Sequence, residues 1–126
     1  MSDHNAIVSQ LQSLFEGFNA HDLDKVMSHF ARDAMFDTAG GSDPHGNRLH
    51  GIDEIAKAFK NTFQEMPDCH WDIQFHDAAS PSRAVSHWIF TGTGQGGDSV
   101  KVEGVDIFHF KNGLITHKSV FKKVPS

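Results

Sequence analysis

A chain of 126 residues with a formal net charge of −5 and no basic cluster beyond Lys122–Lys123 lacks the concentrated positive footprint that phosphate binding needs, which excludes nucleic acid as a main partner. The single Cys69 excludes an internal disulfide and fits a reducing compartment. No apolar stretch approaches about 18 residues, so no membrane-spanning helix is expected.

The length suits one domain, expected to span residues 1–126. Eleven Phe and two Trp concentrate apolar area in a few large side chains, enough for a core, while Tyr is absent. The opening Met1-Ser2-Asp3-His4-Asn5 has no basic region followed by an apolar run, so no secretory signal is expected and a cytoplasmic location is. The ten His are scattered, and no helical pair is followed by a third ligand. His21 and His29 fall eight apart in a helical region, and His70 and His76 share a strand face in strict alternation. Neither a metal nor a cofactor is expected.

Ile7, Leu11, Leu14, Phe15 and Phe18 recur at helical spacing and predict a first amphipathic helix, broken at Asn19-Ala20-His21. Asp22 is positioned to cap a second, carrying Leu23, Val26, Met27 and Phe30. A short strand is expected near Ala34–Asp37, then a Gly-, Pro- and Asp-rich loop through residues 38–50. A third helix starts after Gly51, with Asp53 and Glu54 at its positive end and Ile52, Ile55, Ala56, Phe59 and Phe63 on its buried face; Pro67 ends it. Four strands follow: Cys69–Ala78, Arg83–Thr93, Ser99–Phe110 and Leu114–Val124, the last pair joined at Asn112-Gly113, a strong hairpin signal. Helices first and strands after indicate an α+β fold, with an antiparallel meander receiving the helices on one curved face.

Phe18-Asn19-Ala20-His21-Asp22-Leu23-Asp24, Phe30-Ala31-Arg32-Asp33-Ala34, Gly51 at a helix start, Gly104-Val105-Asp106-Ile107-Phe108-His109-Phe110 and Gly113-Leu114-Ile115 stand in order over nearly the whole chain. Together they resemble the SnoaL-like and ketosteroid isomerase-like branches of the nuclear transport factor 2-like superfamily. The resemblance implies a cone-shaped, cystatin-like fold: three N-terminal helices packed on a curved, mainly antiparallel sheet that encloses a pocket. It does not imply one activity, because the superfamily holds isomerases, cyclases, dehydratases, epoxide hydrolases and proteins without catalysis.

Asp106 is the leading candidate. Alternation puts it on one strand face with Val100, Val102, Gly104, Phe108 and Phe110. A carboxyl in an apolar row has a desolvation cost to explain, and burial raises its pKa. The plain alternative is an Asp that caps a turn or pairs with a His across the sheet. The resemblance implies an acid or acid/base role for the Asp of this Asp-x-Phe-x-Phe strand. It also implies a Tyr partner in the first helix, where Leu14 stands, and a general-base Asp after the first strand, where Thr38 stands and Asp37 is one residue off. Asp37 could act only if the strand end slips by one residue, since such a slip reverses the face. Losing one oxyanion donor costs about 3 kcal/mol, so little or no steroid isomerase activity is expected.

His117, Ser119 and Phe121 share a face of the last strand, and the resemblance puts Phe121 on the pocket wall, which would turn His117 inward as a proton-transfer partner of Asp106. A solvated His near a strand end is the alternative. Trp88 and Phe90 are expected to line the pocket, with Phe108, Phe18 and Phe59 serving core and pocket together and His50 at the mouth. Three functions stay open. The first is a cofactor-free acid/base enzyme acting on a small apolar molecule bearing a carbonyl or hydroxyl, by isomerisation, cyclisation, dehydration or hydrolysis. The second is a non-catalytic binder of such a molecule. The third is an interaction domain, a homodimer formed through an outer sheet face carrying Val85, Ile89, Val105 and Ile107.

Overall fold

The computed structural model describes residues 2–124; Met1, Pro125 and Ser126, the ends of the expected 1–126 domain, lie outside the described residues. The elements run α1 (Ser2–Ala20), α2 (Leu23–Met27), β1 (Phe30–Asp37), β2 (Arg48–His50), α3 (Ile52–Glu65), β3 (His70–Ser80), β4 (Arg83–Thr93), β5 (Ser99–Lys111) and β6 (Leu114–Lys122). One six-stranded sheet has the order β2-β1-β6-β5-β4-β3. All neighbours are antiparallel except β1 and β6. The fold is the α+β, cystatin-like one, with the helices on one face of the sheet.

The helices form where the apolar period demands. Ile7, Leu11, Leu14, Phe15 and Phe18 of α1 are all buried. Asn19 fastens the end of this helix to β3, accepting from Trp71 N at 2.7 Å and donating to Trp71 O at 2.9 Å. His21 then takes a positive φ of 54° and the chain reverses. Asp22 caps α2, its carboxylate accepting from Lys25 N at 3.1 Å. In α3, Ile55 and Phe59 are buried and Asp53 and Glu54 occupy the first turn. Asn112 and Gly113, both with positive φ, make the two-residue turn between β5 and β6.

Three expectations are corrected. Phe30 does not extend α2, which stops at Met27; it opens β1 and pairs with Ile115 of β6. A parallel partner 85 residues on overrides the local helical period, and His29 is not helical either. The loop at 38–50 ends in a short strand, β2, whose three residues pair with Met35–Asp37. The alternation of β3 and β6 is also broken, with consequences for the site. The β3–β4 register shifts between Ile73 and Phe75, and the β5–β6 register shifts between His109 and Phe110. Each shift places one extra residue, Gln74 and Thr116, in the bulged strand, and a bulge of one residue exchanges the two faces beyond it. Phe75 therefore turns outward and is 50% exposed, while His76 turns inward; His70 and His76 lie on opposite faces.

Candidate functional site

A cavity of about 290 Å³ lies between the inner sheet face, α1 and α3. Phe18, Phe36, Phe59, Phe63, Trp71, Trp88, Phe90, Met66, Val102 and Val120 make its walls apolar, and Thr38 and Ala39 bring the loop after β1 to its edge. Three charged residues interrupt this lining: Lys122 at its exposed edge, and Asp106 and Lys118 in its buried wall. Asp106 is 1% exposed, and Lys118 reaches it from β6 with Nζ 3.2 Å from Oδ1. Trp88 Nε1 donates to the other oxygen, Oδ2, at 3.1 Å.

The geometry follows from strand register. Asp106 faces Ser86 on β4 and Val120 on β6, and Phe108 faces Lys118, so Asp106 and Lys118 are diagonal neighbours on the inner face. Trp88 lies opposite Gly104. A side chain at Gly104 would place its Cβ 2.6 Å from Trp88 Cη2 and 2.7 Å from Phe121 O, so the missing side chain is what lets the indole lie close against β5 and aim at Asp106. The Lys118 ammonium sits among aromatic rings, 4.5 Å from the Phe36 centroid, 5.6 Å from Phe59 and 5.9 Å from Phe18.

Burial pushes the Asp106 carboxyl above its ordinary range, against the pull of Lys118 and the Trp88 N–H. Burial likewise pushes Lys118 down, against the pull of Asp106. Both shifts favour the uncharged forms, so a single proton can sit on either member while the pair stays neutral overall. Behind Asp106, Ser86 is fully buried and its Oγ lies 2.8 Å from His76 Nδ1, a ring that burial keeps below the ordinary histidine range.

The structure brings Phe18, Phe59, Trp88, Phe90 and Asp106 to this cavity and leaves the other sequence candidates elsewhere. Leu14 and Phe108 are fully buried core residues, Phe108 packing edge-on against Phe15 at 6.4 Å. The His50 side chain is exposed, and its backbone N–H donates to Glu54 at 3.0 Å at the start of α3. His117, Ser119 and Phe121 face away from the cavity, opposite His109, Ile107 and Val105 on the outer face. The bulge at Thr116 is the cause: Ile115 points inward, and the faces then exchange, so Lys118, Val120 and Lys122 are the inward set.

Asp37 is likewise on the outer face, and Thr38 lines the cavity in its place. No slip of register occurs at that strand end. Arg48 holds Asp37 with two parallel hydrogen bonds of 2.7 and 2.9 Å, and His117 Nε2 lies 2.6 Å from its Oδ2. The Arg48 pair, with help from His117, lowers the Asp37 carboxyl to about 2 despite its burial. His117 and Asp37 thus meet each other rather than Asp106. Among the described residues no three His, Cys, Asp or Glu side chains come together to hold a metal ion.

Lys118, Phe36, Phe63, Met66, Trp71 and Val120 are among the site residues that sequence reasoning missed. One signal was available for Lys118. Ile115 and Val120, both apolar, are an odd number of residues apart and can share a buried face only across a bulge.

A curved sheet closed by helices around a cavity is the cystatin-like, nuclear transport factor 2-like fold of this chain's solved structural neighbours. The sequence model of the SnoaL-like domain matches residues 11–118, and the chain belongs to that family. No curated protein matches it. Among solved structures it is similar to a candidate SnoaL-like polyketide cyclase from Jannaschia sp. CCS1, with a TM-score of 0.84 at 16% identity over 98% of this chain and 89% of that one. It is similar to a candidate polyketide cyclase from Xanthomonas campestris pv. campestris, with a TM-score of 0.82 at 20% identity over 95% and 92%. It also resembles RV0760c from Mycobacterium tuberculosis, solved in complex with estradiol-17β-hemisuccinate, with a TM-score of 0.80 at 20% identity over 94% and 95%. At these identities the likeness establishes the shared fold.

Proposed function

We propose that this protein is a cofactor-free acid/base enzyme of the SnoaL-like type acting on a small, largely apolar molecule that bears a carbonyl or hydroxyl, with Asp106 as the proton-transfer group. The observation that carries the reading is a carboxyl 1% exposed at the wall of an aromatic cavity and held by Trp88 and Lys118. Such a buried group is placed to exchange a proton with a ligand bound in the cavity. A cavity of about 290 Å³ is at the small end of ligand sites, which favours a compact substrate. Leu14 and Thr38, standing where a steroid isomerase has its Tyr and its base, argue against that activity; efficient turnover of a Δ5-3-ketosteroid would refute this part. A cytoplasmic location belongs to the same proposal and is consistent with the free Cys69.

Thermal unfolding against a panel of steroids, terpenoids, aromatic polyketides and short apolar carbonyl compounds tests the reading. Estradiol-17β-hemisuccinate belongs on it because a structural neighbour holds that molecule. A ligand at a hundredfold its Kd adds about 2.7 kcal/mol, a midpoint rise on the order of 10 °C for a chain this size. The expected result is one responsive class, with Asp106→Asn losing the response and the turnover that follows from it. Binding retained in Asp106→Asn, with no turnover by either protein, would make the chain a non-catalytic binder. That second reading is favoured by one feature, the ion pair that already occupies Asp106.

A homodimer through the outer sheet face is proposed alongside. Phe75, His87, Val105 and Phe121 form one continuous row across β3, β4, β5 and β6, with Phe75 50% and Phe121 54% exposed. The row is self-complementary in character, as a two-fold contact requires. Sedimentation of a monomer at micromolar concentration would refute it, and Phe121→Glu is expected to dissociate the dimer.

A further inference from the structure

Lys118 is a primary amine enclosed by the cavity and anchored at one point. Its side chain is 7% exposed, and among the described residues Asp106 is its only hydrogen-bond acceptor. The second Asp106 oxygen is taken by Trp88. The amine and the carboxyl therefore form an isolated unit that can pass one proton across 3.2 Å without changing its net charge. We propose that Lys118 is a nucleophile that forms a reversible imine with a carbonyl-bearing ligand in this cavity, with Asp106 as its proton partner.

Imine formation here rests on the reading of the cavity as a small-molecule site, and it adds the ligand class, an apolar aldehyde or ketone. The steps balance within the pair. The Lys118 ammonium gives one proton to the Asp106 carboxylate and becomes a neutral amine. Its nitrogen lone pair attacks the carbonyl carbon, the C–N bond forms, the C=O π pair moves to oxygen, and Asp106 protonates that oxygen. The nitrogen returns a proton to Asp106, which delivers it to the hydroxyl. Water then leaves as the nitrogen lone pair makes the C=N bond. The products are a protonated imine, one water and an ionised Asp106 beside the new cation. The rings of Phe36, Phe59 and Phe18, 4.5 to 5.9 Å from Nζ, suit that product, because a flat cation is held against aromatic faces. Burial favours the uncharged amine, the form that attacks.

The test uses the wild-type protein with benzaldehyde and cyanoborohydride at pH 7, followed by peptide mapping. Reduction fixes each imine as a benzyl-lysine, so the site is read directly. Lys57, Lys60, Lys101 and Lys111 are exposed and report ordinary amine reactivity. The expected result is benzylation of Lys118 about tenfold faster than any of these, suppressed by excess benzyl alcohol, which fills the cavity but cannot form an imine. Asp106→Asn should slow the Lys118 reaction about tenfold and leave the exposed lysines unchanged. A Lys118 that reacts no faster than the exposed lysines overturns imine formation. A thermal shift with benzyl alcohol in the same samples separates the two ideas: stabilisation without trapping leaves the cavity standing as a binding site, and absence of both removes the two readings together.

Discussion

Replacing Lys118 by Met removes one member of a buried pair and leaves Asp106 with the Trp88 N–H as its remaining partner. An ionised carboxyl there would be an uncompensated buried charge, so the folded variant keeps Asp106 protonated. The ordinary value of this carboxyl is 3.8. Holding it protonated at pH 7, while the unfolded chain releases the proton, costs about 1.4 kcal/mol for each of roughly three pH units, or about 4 kcal/mol. The sign is fixed by proton counting. The folded variant binds one proton that the unfolded chain has lost, so its stability falls as pH rises above about 4. The wild-type pair carries no such slope, because the folded pair and the unfolded chain each hold one proton near neutrality. Urea unfolding at pH 5, 6 and 7 should give a wild-type minus Lys118→Met difference that widens by nearly 3 kcal/mol across the series. In the double variant Lys118→Met/Asp106→Asn that widening should vanish, and much of the stability lost at pH 7 should return. A single-variant deficit that is the same at pH 5 and pH 7 would refute the reasoning, since Asp106 would then be ionised without Lys118.

On the outer face, the folded pKa of Asp37 is depressed, so its contribution is complete above about pH 4 and is lost as pH falls through about 2. Asp37→Asn is expected to remove about 2 kcal/mol at pH 7 and to flatten acid unfolding by circular dichroism in that window, while leaving ligand responses of the cavity unchanged. Gly104→Ala pushes a methyl to within 2.6 Å of Trp88, so a loss of about 1–3 kcal/mol and altered near-ultraviolet circular dichroism are expected; an unperturbed spectrum would count against the Trp88–Gly104 contact. Cys69 is buried with its thiol raised to about 11, and thiol-specific labelling at pH 8 should require unfolding. Fast labelling of the native protein would contradict its burial.

Local chemistry was enough for α1, α3, the start of α2 and the meander, though not for the end of α2, where Phe30 joins β1. The stripe from Ile7 to Phe18, the Asp22 cap, the acidic start and Pro67 stop of α3, and the Asn112-Gly113 turn each act within a few residues, and each appears in the structure. The inward direction of Asp106 was legible for the same reason. Its strand runs opposite β4 from Arg83–His109 to Thr93–Ser99 without a shift, so simple alternation holds. Trp88 and Phe90, on that same uninterrupted pair, were legible too.

What the sequence alone determined about this protein is its α+β class, its likeness to the SnoaL-like family and the one carboxyl on an unbroken apolar strand face. Only the tertiary structure decided that carboxyl's company. Two single-residue bulges, at Gln74 and Thr116, exchange the faces of β3 and β6, bringing His76 and Lys118 inward and sending Phe75, His117 and Phe121 outward. Asp37 joins Arg48 and His117 on the far side of the sheet through pairings that span 11 and 80 residues. The physical reason is parity. A strand's side chains alternate with a period of two, so one extra residue, set by how a distant partner strand fits, reverses everything beyond it.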